Sequence, residues 1–190
     1  MCVNKGFKPD DFHKASEIIK KNNLYLLVYV LQKPPFVSEK LAIKDSVNSI
    51  KWAFENGADI ISLKPVSVQK NTLIHLLHKM GLYRPSWIWS VMEVVKNVGD
   101  LGLVRVGGFE FFPTADIFTH NCPICDEECI DAIENYNSTN KLDKILEALD
   151  HPCTRCYGEW KSVLSGNNSI RDNIDTFLNI FDNKKLDFYL

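Results

Sequence analysis

Leu24-Tyr25-Leu26-Leu27-Val28-Tyr29-Val30-Leu31 is the longest uninterrupted apolar run in the 190-residue chain, and its reading decides the fold. Eight residues fall far short of the roughly 20 that a membrane-spanning helix requires. The run is rich in β-branched and aromatic side chains, lacks polar alternation, and lies between Asn22-Asn23 and Pro34-Pro35. Those features predict a strand buried on both faces, as in a parallel sheet.

The flanking segments support that reading. Pro9 followed by Asp10 and Asp11 is a good helix opening, and Phe12, Ala15 and Ile19 keep helical spacing to about Lys21. Beyond the run, Ser38 and Glu39 open a second helix with Ile43, Val47, Ile50 and Phe54 on its buried face, and Gly57 supplies a left-handed exit. Ile60 to Leu63 is a second short strand. Thr72 caps a third helix through Met80, and Ser86 caps a fourth through Val98. Leu103 to Val106 is a third strand, with Phe109-Glu110-Phe111-Phe112 a continuation across a bend at Gly107-Gly108. Helices and strands therefore alternate through residue 112, which predicts parallel strands joined by crossover helices: an α/β layer or part of a (β/α) barrel. Three strands are too few to close one.

After Pro113 the pattern changes to short helices at about 127–136, 141–149 and 156–165, too small to build a core alone. Here lies His120-Asn121-Cys122-Pro123-Ile124-Cys125, answered across 27 intervening residues by Cys153-Thr154-Arg155-Cys156. Each Cys-x-x-Cys pair offers two thiolates to one ion. Tetrahedral zinc held by Cys122, Cys125, Cys153 and Cys156 is the first choice, and an iron–sulfur cluster the rival. Plain buried or redox cysteines are the remaining reading. Cys129, His120 and His151 are near enough in sequence to substitute as ligands. The chain ends in an amphipathic helix carrying Ile170, Ile174, Phe177, Leu178 and Phe181, which lacks the cationic face of a membrane-surface helix. The expected division is a barrel portion 1–112, a metal-binding segment 113–165 and a helical tail 166–190.

A formal net charge of -2 gives no global attraction to nucleic acid, so RNA contact would need a local patch or another chain. Five of the six cysteines lie between residues 122 and 156, which reads as a metal site in a reducing cytoplasm. The amino terminus has no apolar signal core.

In parallel α/β proteins functional groups gather at the carboxyl ends of strands. Those ends offer Gln32 and Lys33, Lys64 and Gln69, and Gly107, Gly108 and Glu110. Lys33, Lys64 and Gln69 are the candidate wall of a polar ligand pocket; ordinary loop charges are the plainer reading. Of Trp87 and Trp89, one could be a stacking platform, although core packing accounts for both. His75 and His78 are spaced to share a metal but have no nearby acidic or cysteine partner in sequence. No residue presents itself as a catalytic group: there is no nucleophile elbow and no phosphate loop.

Several longer stretches resemble a known family. Val3-Asn-Lys-Gly-Phe7, Leu31-Gln-Lys-Pro-Pro-Phe-Val-Ser-Glu-Lys40, Pro65-Val-Ser-Val-Gln69 and Tyr83-Arg-Pro-Ser-Trp-Ile-Trp-Ser90 are similar to the archaeosine-forming radical SAM enzymes, archaeal relatives of the catalytic subunit of Elongator. The two Cys-x-x-Cys stretches with Trp160 look like that family's carboxy-terminal cysteine-rich segment. The resemblance covers about residues 2–164. It implies a partial (β/α) radical SAM barrel in which a [4Fe-4S] cluster cleaves S-adenosylmethionine and the radical acts on a lysine-modified 7-deazaguanine in tRNA. It also implies association with the transferase that attaches the lysine.

The chain departs from that family in one respect. It has only Cys2 before Cys122, and no Cys-x-x-x-Cys-x-x-Cys run to hold the cluster; Cys122-x-x-Cys125-x-x-x-Cys129 reverses the spacing. By its motifs the sequence starts in the middle of the barrel, with about three strands missing. The expectation is a carboxy-terminal half that needs a complementary amino-terminal chain, with an unpaired edge on the Leu24–Leu31 strand for that half to cover. The competing expectation is a non-catalytic zinc scaffold for RNA or protein. A decayed gene product is the third.

Overall fold

Pro9 starts the first helix, α1 (Pro9–Lys21), and the Asp11 carboxylate accepts the Lys8 backbone N–H at 2.9 Å just ahead of it. The computed structural model describes residues 6–109, 114–166 and 169–184. Elements follow in the order β1 (Leu27–Gln32), α2 (Glu39–Glu55), β2 (Ile60–Pro65), α3 (Leu73–Lys79), α4 (Ile88–Val98) and β3 (Leu103–Val106). Then come α5 (Asp126–Thr139), α6 (Asp143–Asp150), α7 (Tyr157–Ser165) and α8 (Ile170–Lys184).

The three strands form one parallel sheet in the order β1-β2-β3, with Leu27 opposite Ile60 and Ile60 opposite Leu103. The α/β expectation holds in this form. Side chains alternate between the faces. Val30, Ile61, Leu63, Val104 and Val106 pack against Ile50, Ala53, Val91, Val94, Val95 and Val98 of α2 and α4. Each fully buried aliphatic chain contributes roughly 1.5–3 kcal/mol, so this face fixes the register. The same core runs on through Cys122, Cys125, Ile133, Tyr136, Ile145 and Trp160, so the cysteine-rich helices pack on the sheet's own helices.

The opposite face differs from the expectation. Leu27 is 42% and Tyr29 58% exposed, and β1 starts at Leu27 with Leu24 and Tyr25 exposed before it. The run was expected to be buried on both faces. Among the described residues, no layer covers the face that carries Leu27 and Tyr29.

Two predicted caps also resolve differently. Thr72 caps α3, accepting the His75 N–H, but neither Ser38 nor Ser86 caps its helix. The start of α4 is held from a distance, because Glu39 accepts both the Ser86 hydroxyl at 2.8 Å and the Trp87 N–H at 2.9 Å. A charged acceptor forms the stronger hydrogen bond, so Ser86 serves as a donor to Glu39.

α1 meets the last turn of α2 and the loop after it, with Phe12 on Trp52 at 4.8 Å, Ser16 donating to the Asn56 carbonyl, and Lys20 paired with Asp59. At Gly57 (φ +96°) a Cβ would lie 2.4 Å from Ser16 Oγ, so both the backbone conformation and the helix approach require glycine. α8 packs through Phe177 on Phe36, and Asn173 donates to the Phe36 carbonyl at 2.8 Å. The outer edge of β3 is closed by α5: Asn137 donates to the Val106 carbonyl and accepts the Val106 N–H, each at 2.8 Å. Of the predicted continuation at Phe109–Phe112, residues 110–112 lie outside the described residues. Among the described residues no helix is long and apolar enough to cross a membrane.

Candidate metal centre and strand ends

Both Cys-x-x-Cys turns sit at helix starts. Cys125 N–H donates to the Cys122 carbonyl as α5 begins, and Tyr157 N–H to the Cys153 carbonyl as α7 begins. Helix N-termini point positive partial charge at whatever precedes them, which suits thiolates. Asp126 steadies the first turn by accepting the Asn121 N–H at 2.6 Å.

The two turns meet. The sulfurs of Cys122, Cys125, Cys153 and Cys156 all lie within 4.8 Å of one another, with Cys122–Cys125 at 3.7 Å, Cys122–Cys153 at 3.8 Å and Cys125–Cys156 at 3.6 Å. Four sulfurs around one ion with Zn–S bonds near 2.3 Å stand about 3.75 Å apart by tetrahedral geometry. The donor set therefore fits a single tetrahedral ion. A cubane cluster binds each thiolate through a different iron and needs the sulfurs spread wider.

Burial favours the neutral thiol at two of the four positions. Burial pushes the Cys125 thiol up to about 12, and raises Cys156 further. Cys153, half-buried, is lowered to about 7 by the backbone N–H groups of Arg155 and Cys156. A central dication would offset that desolvation at Cys125 and Cys156.

The three substitute ligands stand aside. Cys129 is buried one turn beyond Cys125 and accepts a contact from Asn121 Nδ2 at 3.5 Å; burial raises its thiol to about 12. The His120 ring lies on the Phe118 carbonyl at 2.8 Å. His151 lines a small cavity of about 250 Å³ beside Cys125 and Cys153.

The supporting residues were not foreseen. Trp89 Nε1 donates to Cys156 Sγ at 3.3 Å, and Asn121 Oδ1 accepts the Trp89 backbone N–H at 3.1 Å. Trp160 donates to Ser90 at 2.8 Å, and Arg84 stacks 3.7 Å over Trp87 while donating to the His120 carbonyl. Trp87 and Trp89 are both buried, so neither is an exposed stacking platform.

At the strand ends, Lys33 is 8% exposed with φ +58°, and its ammonium is paired with Glu39 at 2.5 Å. Gln32 donates to Ser86, which donates to Glu39, and Tyr83 donates to the Lys33 carbonyl. Burial, helped by Glu39, raises the Tyr83 phenol. Two stretches quoted for their family resemblance, 31–40 and 83–90, are thus bound together by one buried polar network. Lys64 instead lies on the open face, 5.7 Å from the Tyr29 ring and over Gly107. Gln69 is half-buried in the loop before α3, its carbonyl accepting the Thr72 hydroxyl.

Sequence comparison bears on the family. Over 170 residues, 85% of this chain, it is 37% identical to archaeosine synthase subunit beta of Methanosarcina acetivorans, and the match covers 46% of that protein. This chain is a homologue of archaeosine synthase subunit beta. The protein of that name from Thermococcus kodakarensis is 40% identical over 95 residues, 50% of this chain and 29% of its own length. An uncharacterized protein of Methanocaldococcus jannaschii is 35% identical over 97 residues, 51% of this chain and 27% of its own. The chain spans about half the length of the curated relatives it matches. No family profile and no solved structure matches.

Proposed function

We propose that this chain is the carboxy-terminal portion of a radical SAM enzyme of tRNA modification, acting in archaeosine formation from lysine-modified 7-deazaguanine. The observation that carries the reading is the similarity to archaeosine synthase subunit beta over 85% of the chain. Residues 1–112 form part of the barrel, 113–165 a metal-binding segment and 166–190 a tail. The radical itself is supplied by a [4Fe-4S] cluster and S-adenosylmethionine, which belong with a complementary amino-terminal portion. Lys64 and Gln69 contribute polar groups near the carboxyl ends of the strands. Lys33 acts there through Glu39, shaping the loop rather than meeting a ligand. A lysine transferase is the companion enzyme, and tRNA is bound by the assembled complex.

The four cysteines hold structural zinc. The sulfur spacing near 3.7 Å supports a single ion, and the small helices around it need a staple. That feature also favours a second reading, a zinc scaffold without catalytic duty.

The test combines the chain with the part of the Methanosarcina acetivorans relative that lies outside the match, reconstituted anaerobically. The expected result is archaeosine in a tRNA carrying the lysine-modified base from the mixture, and no 5'-deoxyadenosine from this chain alone. Formation of 5'-deoxyadenosine by the isolated chain would overturn the split. Full zinc occupancy with no product from the mixture would select the scaffold. Metal analysis should give about one zinc per chain and a colourless protein.

A further inference from the structure

Charge is divided unevenly along the chain. Residues 1–112 carry fifteen lysines and arginines against ten acids, and residues 113–190 carry seven against fourteen. The small net charge therefore hides a basic sheet portion and an acidic cysteine-rich portion. Glu127, Asp131 and Glu134 of α5 and Asp143 and Asp150 of α6 are all exposed. A polyanion is repelled from that side of the molecule and drawn to the other.

On the basic side, α2 turns a row of cations to solvent. Ala42, Ser46, Ile50 and Ala53 bury one side of the helix, while Lys40, Lys44 and Lys51 are exposed. At 3.6 residues per turn the three lysines fall within an arc of about 40°, and at 1.5 Å per residue they stand about 6 and 10 Å apart along the axis. Asn48 and Glu55 lie at the edge of that arc, and Asp45 lies further round, on the groove beside β1. None of the three lysines pairs with a carboxylate among the described residues, in contrast to Lys20, Lys33, Lys70, Lys96 and Lys144. Lys40 and Lys44 are four residues apart, a like-charge spacing that weakens a helix on its own. A polyanion resting on the row turns that repulsion into attraction.

We infer that this outer face of α2 holds the phosphate backbone of an RNA. The row begins at Lys40, next to Glu39 and the buried pair it makes with Lys33, and so at the carboxyl ends of the strands. RNA laid along the lysines is led toward the loops where Lys64 and Gln69 stand. Contacts of this kind fix position and supply affinity without reading bases. Charge complementarity decides the occupant. A protein partner would need apolar or aromatic anchors, and lysine is depleted from protein interfaces, whereas the row itself offers only lysines and an amide.

The inference rests on the proposed role in tRNA modification for the kind of RNA, and its test separates the two. Binding of the full chain to a fluorescently labelled tRNA transcript is followed by anisotropy across a series of salt concentrations. A variant with Lys40→Gln, Lys44→Gln and Lys51→Gln is compared with one carrying Lys79→Gln, Lys96→Gln and Lys141→Gln, which loses the same charge elsewhere. Glutamine keeps the helix propensity of lysine, and both variants are checked for wild-type circular dichroism and metal content. Each phosphate contact contributes roughly 0.7–0.9 to the slope of log K against log salt, so the α2 variant should show a slope shallower by about two to three and bind about 100-fold more weakly at 0.1 M salt. Arginine at the same three positions should restore binding, and the second variant should change little. No binding by the wild type, equal losses in the two glutamine variants, or full affinity in the α2 variant would each overturn the inference. Unchanged RNA affinity with lost association to the complementary portion would give the face to a protein and overturn it too. RNA binding that needs the three lysines, without archaeosine from the reconstituted mixture, would leave the RNA face standing and remove the proposed function. Archaeosine formed by the α2 variant with wild-type KM would do the reverse.

Discussion

Removing the Glu39 carboxylate should destabilise the chain more than any surface change. Its side chain is fully buried, takes the Ser86 hydroxyl and the Trp87 N–H, and is paired with a Lys33 ammonium that is itself 10% exposed. Glu39→Ala leaves that ammonium buried without a counter-charge, a loss of about 3–5 kcal/mol when one partner of a buried pair is deleted. In urea, with a slope of about 2 kcal/mol/M, the midpoint should fall by roughly 2 M in the metal-loaded protein. Lys33→Met should show a loss of the same order. Lys33→Met combined with Glu39→Met should sit closer to the wild type than either single change, because replacing both charges removes the desolvation problem. Additive losses in the double variant, or a midpoint shift under about 0.3 M for Glu39→Ala, would refute the idea that this pair ties β1 to α4.

Three further outcomes are expected. Trp89→Phe removes the indole N–H from Cys156 and should weaken zinc binding about tenfold in chelator competition, with the fold retained. Asn137→Ala opens the β3 edge and should cost about 1–3 kcal/mol, read as faster hydrogen exchange at the Val106 amide. Asp59 is held below the usual carboxylate range by Lys20 and by the Leu26 N–H. A lowered carboxylate stabilises the fold above its unfolded value of 3.8, and that contribution is lost as pH falls through the folded value. Acid titration should therefore loosen α1 below about pH 4, and Asp59→Asn should remove that component, worth under about 1 kcal/mol at this exposed site.

Most elements were legible because their signals are local. Helical spacing from Ile88 to Val98 and the Leu103–Val106 strand depend on neighbours in sequence and are found as read, and the two Cys-x-x-Cys pairs do come together. The Leu24–Leu31 run was misjudged for a different reason. Its composition records the burial of both faces, whereas this chain covers one. The missed roles are all long-range. Glu39 acts 48 residues away on Trp87, Trp89 acts 67 away on Cys156, and Asn137 acts 31 away on Val106. No periodicity encodes such partners. Ser38 and Ser86 looked like caps because cap signatures are local, and the distant carboxylate that replaced the second of them left no trace beside it.

The first turn of α4 stands between two parts that the sequence keeps apart. Trp87 reaches toward Glu39 and the strand end, while Trp89 and Ser90 reach toward Cys156 and Trp160. The cysteine-rich segment is therefore not a cassette. A chimera that takes residues 114–165 from a relative and leaves 87–90 behind would carry the four thiols intact, yet present them to the wrong neighbours. To travel between proteins, the metal segment has to bring a turn of someone else's helix with it.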